Sequence, residues 1–200
     1  MKKLLAFVAL LVGLLPVAAQ PSSAAKPPVR SGVYLTGQDF VKGKLTLESN
    51  PAVEEHKIKL HEFFNKPYIT VQHHGKEYKY QRKDIFGIRD GLGVDYRLTN
   101  GLDYEVLTTG PILLYQLPQN TQAKGQPLPS PYYFSPGPDA AVRHLTLAQL
   151  QSAYAGNHAF LNALDTAFPN GTNLEVYDAH NAQYRLNYLY QKSLLDKSAH

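Results

Sequence analysis

The chain has 200 residues, of which 44% are hydrophobic, and a formal charge of +4. This length and composition fit one folded domain with a small appendage and exclude a wholly disordered chain. Because the sequence contains no cysteine, it also excludes disulfides, thiolate nucleophiles and metal centres held by cysteine.

The N-terminal segment predicts a secretory signal peptide over residues 1–19. Lys2 and Lys3 precede an apolar run from Leu4 to Leu15, and the small residues Val17-Ala18-Ala19 are typical of a cleavage site. The apolar run is shorter than the roughly 20 residues that a membrane-spanning helix needs. We therefore expect an exported protein, periplasmic or secreted, with no transmembrane span after the leader is removed. No cysteine follows the cleavage site, so we do not expect a lipoprotein.

The net charge does not favour a nucleic-acid partner. Without the two lysines of the leader, the formal charge falls from +4 to +2. No run of Lys and Arg in the chain is longer than two residues. A nucleic-acid surface needs a basic patch, so the sequence predicts none.

Residues 20–31 predict a flexible tether, and residues 32–119 predict an antiparallel β meander. Tyr68–His73 and Lys76–Gln81 alternate polar and apolar side chains around a turn at His74-Gly75, which indicates a hairpin, and Asn100-Gly101 indicates another. The predicted strands are Gly32–Leu35, Leu45–Glu48, Ile58–Phe63, Tyr68–His73, Lys76–Gln81, Ile85–Arg89, Val94–Leu98, Leu102–Leu107 and Ile112–Leu117. Short connections favour antiparallel pairing in a roll, sandwich or small barrel.

Residues 120–140 predict a proline-rich linker, in which Tyr132-Tyr133-Phe134 can lay one extended segment back onto the sheet. Residues 141–200 predict a helical C-terminal region. Thr146 and Gln149 form a capping box, and Asn157 and Asp178 are expected to cap two further helices. The predicted fold class is therefore α+β, an antiparallel meander followed by short helices.

Metal and cofactor motifs are absent from the sequence. His61-Glu62 begins like a metalloprotease helix, but Asn65 occupies the position of the second histidine. His73 and His74 point apart on a strand unless a turn brings them together. We therefore predict no metal site, no cofactor and no catalytic residue.

Tyrosine is the one unusual surplus, with 14 residues and no tryptophan. A pair of tyrosines on one strand face can form a carbohydrate platform, although cross-strand packing is the more common role. Charged residues of the neighbouring strands can bind the same ligand or form ion pairs with each other. The ligand-binding candidates are Tyr78, Tyr80, Arg89, Asp90, Asp95, Tyr96 and Arg97.

One stretch of the chain resembles a family of secreted proteins from Bacteroidota-type bacteria. It comprises Asp84-Ile85-Phe86-Gly87-Ile88-Arg89-Asp90-Gly91 and Asp95-Tyr96-Arg97-Leu98. Gly32–Phe40 is similar to the family's N-terminal segment, and Leu145–Phe168 with Val176-Tyr177-Asp178 is similar to its C-terminal part. The resemblance implies export and carries no activity or catalytic residue over to this chain.

The sequence therefore favours an exported protein with a non-catalytic binding or structural role in the cell envelope or outside the cell. Its expected partner is an envelope or extracellular protein or a glycan. The alternative is a hydrolase acting on an envelope or extracellular polymer, since two carboxylates for such chemistry can meet in the fold from distant positions.

Overall fold

The computed structural model describes residues 29–50, 52, 55–60, 66–118 and 131–198, with side chains described to residue 195. The predicted signal peptide and most of the tether lie outside these residues, as do residues 61–65. Within the described ranges, none of the helices has the length and apolar character needed to cross a membrane.

The fold is α+β, as predicted, and consists mainly of antiparallel sheets with short helices towards the C-terminus. The strands are β1 (Ser31–Tyr34), β2 (Thr46–Ser49), β3 (His56–Lys59), β4 (Tyr68–His73), β5 (Lys76–Gln81), β6 (Gly87–Arg89), β7 (Asp95–Thr99), β8 (Leu102–Thr108), β9 (Leu113–Gln116), β10 (Tyr132–Ser135), β11 (Arg143–His144), β12 (Tyr177–Asp178) and β13 (Gln183–Tyr184). The helices are α1 (Gly37–Val41), α2 (Leu147–Ala153), α3 (His158–Ala167) and α4 (Arg185–Ser198).

Eight strands form one open sheet in the order β11-β10-β9-β8-β7-β6-β1-β2. Most neighbours in this sheet are also neighbours in sequence, as expected of a meander with short turns. The turn between β7 and β8 is at Asn100-Gly101, where both residues have positive φ angles of 53° and 76°, as a tight hairpin turn requires. The strands β3, β4 and β5 form a second, smaller sheet.

The two faces of the eight-stranded sheet carry different side chains. One face, here called the tyrosine face, holds an aromatic cluster with four buried tyrosines, and Phe40 of α1 packs onto it; the tyrosines are Tyr34, Tyr104, Tyr115 and Tyr133. The opposite face is mainly aliphatic and is covered by two layers. The smaller sheet covers Val33 and Ile88, and the helices cover Leu114 and Phe134.

The C-terminal helices begin largely where side-chain caps are available. Thr146 accepts a hydrogen bond from the Gln149 amide at 3.3 Å, and Asn157 accepts one from the Phe160 amide at 3.2 Å, as predicted. The predicted cap at Asp178 is wrong. Its carboxylate accepts from the amides of His180 and Asn181 in the turn between β12 and β13, so the last helix begins only at Arg185.

Residues 131–144 fall in the predicted linker and at the start of the predicted helical region, and they contribute β10 and β11 to the large sheet. Tyr132-Tyr133-Phe134 pairs with Leu114–Gln116 of β9, so this segment is laid back onto the sheet. The loop that follows β10 thereby reaches the tyrosine face, where the candidate site lies.

Candidate functional site

A cleft of about 1040 Å³ opens at one end of the eight-stranded sheet. Its walls come from the chain after β1, the connection from β5 to β6, the turn from β7 to β8, and the loop after β10. Its lining residues include Leu35, Thr36, Lys66, Gln81, Arg82, Lys83, Asp84, Ile85, Phe86, Arg97, Leu98, Thr99, Asn100 and Asp139. Large concave pockets of this kind are the usual location of ligand sites.

Arg97 forms the polar floor of this cleft. It lies on β7 between Gly87 and Tyr104 of the neighbouring strands, so its side chain projects from the tyrosine face. Only 8% of the residue is exposed. An added Cβ at Gly87 would collide with the carbonyl oxygen of Tyr96, so glycine is required where β6 passes β7.

Three neutral acceptors hold the Arg97 guanidinium. Nη1 donates to the Tyr115 hydroxyl at 2.8 Å and to Ser135 Oγ at 3.2 Å, and Nη2 donates to the Ala140 carbonyl at 2.9 Å. Ser135 Oγ itself donates to the Gly137 carbonyl at 2.7 Å. Because that bond uses the Ser135 proton, Tyr115 must donate to Ser135 across their 2.9 Å contact. The direction of every hydroxyl in the network is therefore determined.

Arg97 carries its charge without a carboxylate partner within the described part of the chain. Its other close neighbours are rings, since the guanidinium carbon lies 5.1 Å from the centre of Phe86 and 5.7 Å from that of Tyr115. A buried guanidinium normally pairs with an acid, because removing an ion from water costs several kcal/mol. The positive charge of Arg97 is therefore left to face the cleft.

The other charges of the cleft lie nearer its rim. Arg82 is neutralised by Asp103, which accepts from both of its Nη atoms. Lys83, Asp84 and Asp139 are exposed, so water screens their charges. The charge at the floor of the cleft is therefore the positive charge of Arg97, which is shielded from water.

Arg89 and Asp95, two further predicted residues, form a closed ion pair. The Asp95 carboxylate accepts from Arg89 Nε and Nη2 at 2.8 and 2.7 Å, and from the Tyr34 hydroxyl at 2.9 Å. The hydrogen bond to Asp95 raises the pKa of Arg89. Burial, and then the neighbouring Asp95 charge, raise the pKa of Tyr34 far above its ordinary value. These three side chains bond to one another, and their hydrogen bonds link β1, β6 and β7 on the tyrosine face.

The remaining predicted residues have roles that the local fold explains. Asp90 accepts from the amides of Leu92 and Val94 at 2.9 and 2.8 Å, so it shapes the turn between β6 and β7. The half-buried tyrosines of β5 and β7 pack against the aliphatic cluster between the two sheets; they are Tyr78, Tyr80 and Tyr96. Of the seven predicted residues, the structure brings Arg97 alone into the lining of the cleft.

Sequence reasoning did not select the partners of Arg97. Tyr115, Ser135 and Ala140 are 18, 38 and 43 residues away, and only the sheet pairing brings them together. No signal in the sequence marks its burial, because alternation puts Arg97 with Asp95 on the polar side of a strand whose apolar side holds Tyr96 and Leu98.

Within the described ranges, no group of three or more histidine, aspartate or glutamate side chains is placed to hold a metal ion. Comparisons of the chain with protein-family models, with curated proteins and with solved structures found no match.

Proposed function

We propose that the protein is an exported, non-catalytic binding protein whose cleft takes an acidic glycan of the cell envelope or the extracellular medium. Export is supported by the signal-peptide pattern of residues 1–19. The observation that carries the ligand class is the buried guanidinium of Arg97, which meets three neutral acceptors and no carboxylate within the described residues.

Arg97 has donors left for such a ligand. A guanidinium has five N–H donors, and two from Nη1 and one from Nη2 are used by Tyr115, Ser135 and Ala140. The Nε–H and one Nη2–H have no partner among the described residues. A carboxylate or sulfate oxygen that accepts from them also supplies the missing negative charge, and such charge-assisted bonds are about twice as strong as neutral ones.

The rest of the cleft fits a saccharide. Leu35, Ile85, Phe86 and Leu98 offer apolar surface, while Gln81 and Asn100 offer amides that can bond to hydroxyls. Sugars combine apolar ring faces with many hydroxyl groups and therefore need both kinds of wall. A volume near 1040 Å³ is at the upper end of the roughly 300–1,000 Å³ of small-molecule pockets, which favours an oligomer over a single sugar.

Isothermal titration calorimetry with oligogalacturonate and with a neutral malto-oligosaccharide of equal length tests this proposal. We expect saturable binding of the acidic oligomer alone. Arg97→Gln is expected to weaken this binding by roughly 10- to 100-fold, the equivalent of one hydrogen bond to a charged group. Arg89→Gln is the matched control, because Arg89 pairs with Asp95 outside the cleft, and its affinity is expected to stay within about twofold.

The cleft also supports one alternative, a glycan hydrolase. Asp84 and Asp139 both line it, and most glycoside hydrolases use two carboxylates. A reducing-end assay on the same acidic oligomer separates the two functions, because a binding protein releases no new ends. Turnover that is lost in Asp84→Asn and in Asp139→Asn, with binding retained, supports the hydrolase and contradicts the binding role.

A further inference from the structure

Two histidines meet across the smaller sheet, far from the cleft. His56 of β3 lies directly opposite His73 of β4, and their Nδ1 atoms are 3.3 Å apart. The ring centres are separated by 5.5 Å, with the ring planes nearly perpendicular at 88°. The two nitrogens therefore point towards a common region of space.

The hairpin that follows fixes this arrangement. His74 and Gly75 form the two-residue turn between β4 and β5, and both have positive φ angles, 48° and 72°. The His74 ring packs on His73 with its centre 4.1 Å away. His73 is thus held between its strand partner and its neighbour in the turn.

The pair lies at the end of the face that packs onto the large sheet. Val71 lies two residues before His73 and Ile58 two residues after His56; both belong to the aliphatic cluster, and alternate residues share a face. The cleft borders the opposite end of β4 at Pro67. The six residues of β4 separate the two ends by about 17 Å at the rise of an antiparallel strand.

We propose that His56 and His73 form a two-ligand site for a divalent transition-metal ion of the imidazole-binding class, Cu²⁺ or Zn²⁺. Metal–nitrogen bonds of about 2.0–2.1 Å at a tetrahedral angle place two ligand nitrogens about 3.3 Å apart. The observed separation of the two Nδ1 atoms is 3.3 Å. Water completes the coordination, since the described residues offer no group of three ligands there.

When both rings are neutral, binding requires a change of tautomer and no change in the number of bound protons. Across a contact of 3.3 Å, one Nδ1 donates a proton and the other accepts it. For both lone pairs to reach the metal, the donor ring has to carry its proton on Nε2 instead of Nδ1. The metal then replaces the shared proton as the link between β3 and β4.

The site is tested with Cu²⁺, Zn²⁺ and Mg²⁺ added to the protein purified without a histidine tag, using calorimetry and thermal unfolding. We expect saturable binding with one ion per chain, tighter for Cu²⁺ than for Zn²⁺ and undetectable for Mg²⁺. His56→Gln and His73→Gln are each expected to weaken binding by at least about tenfold. His158→Gln is the matched control, because His158 is exposed on α3, and it is expected to bind as the original chain does.

Absence of binding, or an equal loss in His158→Gln and in His73→Gln, overturns the proposal. Should either variant of the pair fail to fold without metal, amide NMR signals of the original chain give an independent answer. Paramagnetic broadening by Cu²⁺ is expected to centre on residues 56 and 73. Broadening centred elsewhere contradicts the site.

Discussion

Two buried tyrosines on opposite sides of the large sheet show how the two regions of the molecule differ. Tyr115, on the tyrosine face, is fully buried, and its hydroxyl accepts from Arg97 and contacts Ser135. Tyr154, under the helices, is 9% exposed, and its buried hydroxyl has no hydrogen-bond partner among the described residues. The first tyrosine holds a charge in place, whereas the second contributes only the packing of its ring.

The same difference extends to the layers around them. The helical layer packs aliphatic and aromatic side chains such as Leu150, Phe160 and Leu186 against the sheet, which stabilises the fold through burial. The tyrosine face instead contains the Arg97 network and the Arg89–Asp95 pair. We infer that the helical layer supplies stability and the tyrosine face supplies the site.

Replacing Asn187 tests the stabilising role of the helical layer and has the largest expected effect on the free energy of unfolding. The buried Asn187 side chain accepts from the Ile112 amide at 2.8 Å and donates to the Ile112 carbonyl at 3.1 Å, so it ties α4 to the sheet. Asn187→Leu leaves both backbone groups buried and unpaired, and we expect a loss of about 2–5 kcal/mol in the free energy of unfolding. Urea titration measures it.

Asn162→Leu is the control for this change, because Asn162 is exposed on α3 and its replacement is expected to change stability by less than about 0.5 kcal/mol. Equal effects of the two substitutions contradict a specific role for Asn187.

Tyr115→Phe removes one acceptor of Arg97 while keeping the ring. Because the guanidinium stays buried with fewer partners, we expect a loss of about 1–3 kcal/mol in the free energy of unfolding. We also expect weaker binding of the acidic oligomer, since Arg97 is less firmly held. Unchanged stability and unchanged affinity together would show that the hydroxyl network does not position the arginine.

Tyr154→Phe removes the same hydroxyl group in the helical layer, and we expect the opposite change in the free energy of unfolding. It removes a buried hydroxyl with no hydrogen-bond partner in the part of the chain that the structure describes, so we expect the protein to be unchanged or more stable, by up to about 1 kcal/mol. Thermal and urea unfolding of Tyr154→Phe and Tyr115→Phe, each compared with the original chain, measure the two changes in the free energy of unfolding. A loss as large as that of Tyr115→Phe argues against the distinction between the two regions.

Alkaline pH is expected to lower stability gradually. Burial raises the pKa of Tyr34, Tyr115 and Tyr154 above the ordinary value of 10.0. Below pH 10 both the folded and the unfolded states hold these protons. Above it the unfolded state releases protons that the folded state retains, so the free energy of unfolding falls as pH rises.

Urea titrations at pH 9, 10 and 11 measure this slope, and Tyr154→Phe is expected to make it shallower. A slope that is zero, or identical in the two proteins, disagrees with the burial of these hydroxyl groups in the folded state.

The sequence predicted the local elements well where turns and alternation define them. The bounds of β4 and β5 match the predicted strands, because His74-Gly75 sets the register of that hairpin. Helix α1 was missed, although Thr36 caps it by accepting from the Asp39 amide at 3.0 Å. A helix of five residues gives too short a pattern for hydrophobic periodicity to show.

The candidate site depends on contacts that local patterns do not encode. Arg97 was among the predicted residues, but its network requires β10 to return to β9 across a long connection. The charged candidates Arg89 and Asp95 form an ion pair across adjacent strands, and neither of them lines the cleft. Which charged side chain is left without an oppositely charged partner among the described residues is set by the pairing of all the strands together.

Binding of an acidic glycan at Arg97 can be followed through the Nε–H signal of this residue in ¹⁵N NMR spectra during titration with oligogalacturonate. This proton is one of the two donors that the network leaves available to an acidic ligand. We expect a saturable shift of the Arg97 signal with the same midpoint as the calorimetric titration, while the Arg89 signal stays in place. If the oligomer binds and the Arg97 signal does not shift, Arg97 is not the residue that holds the acidic ligand.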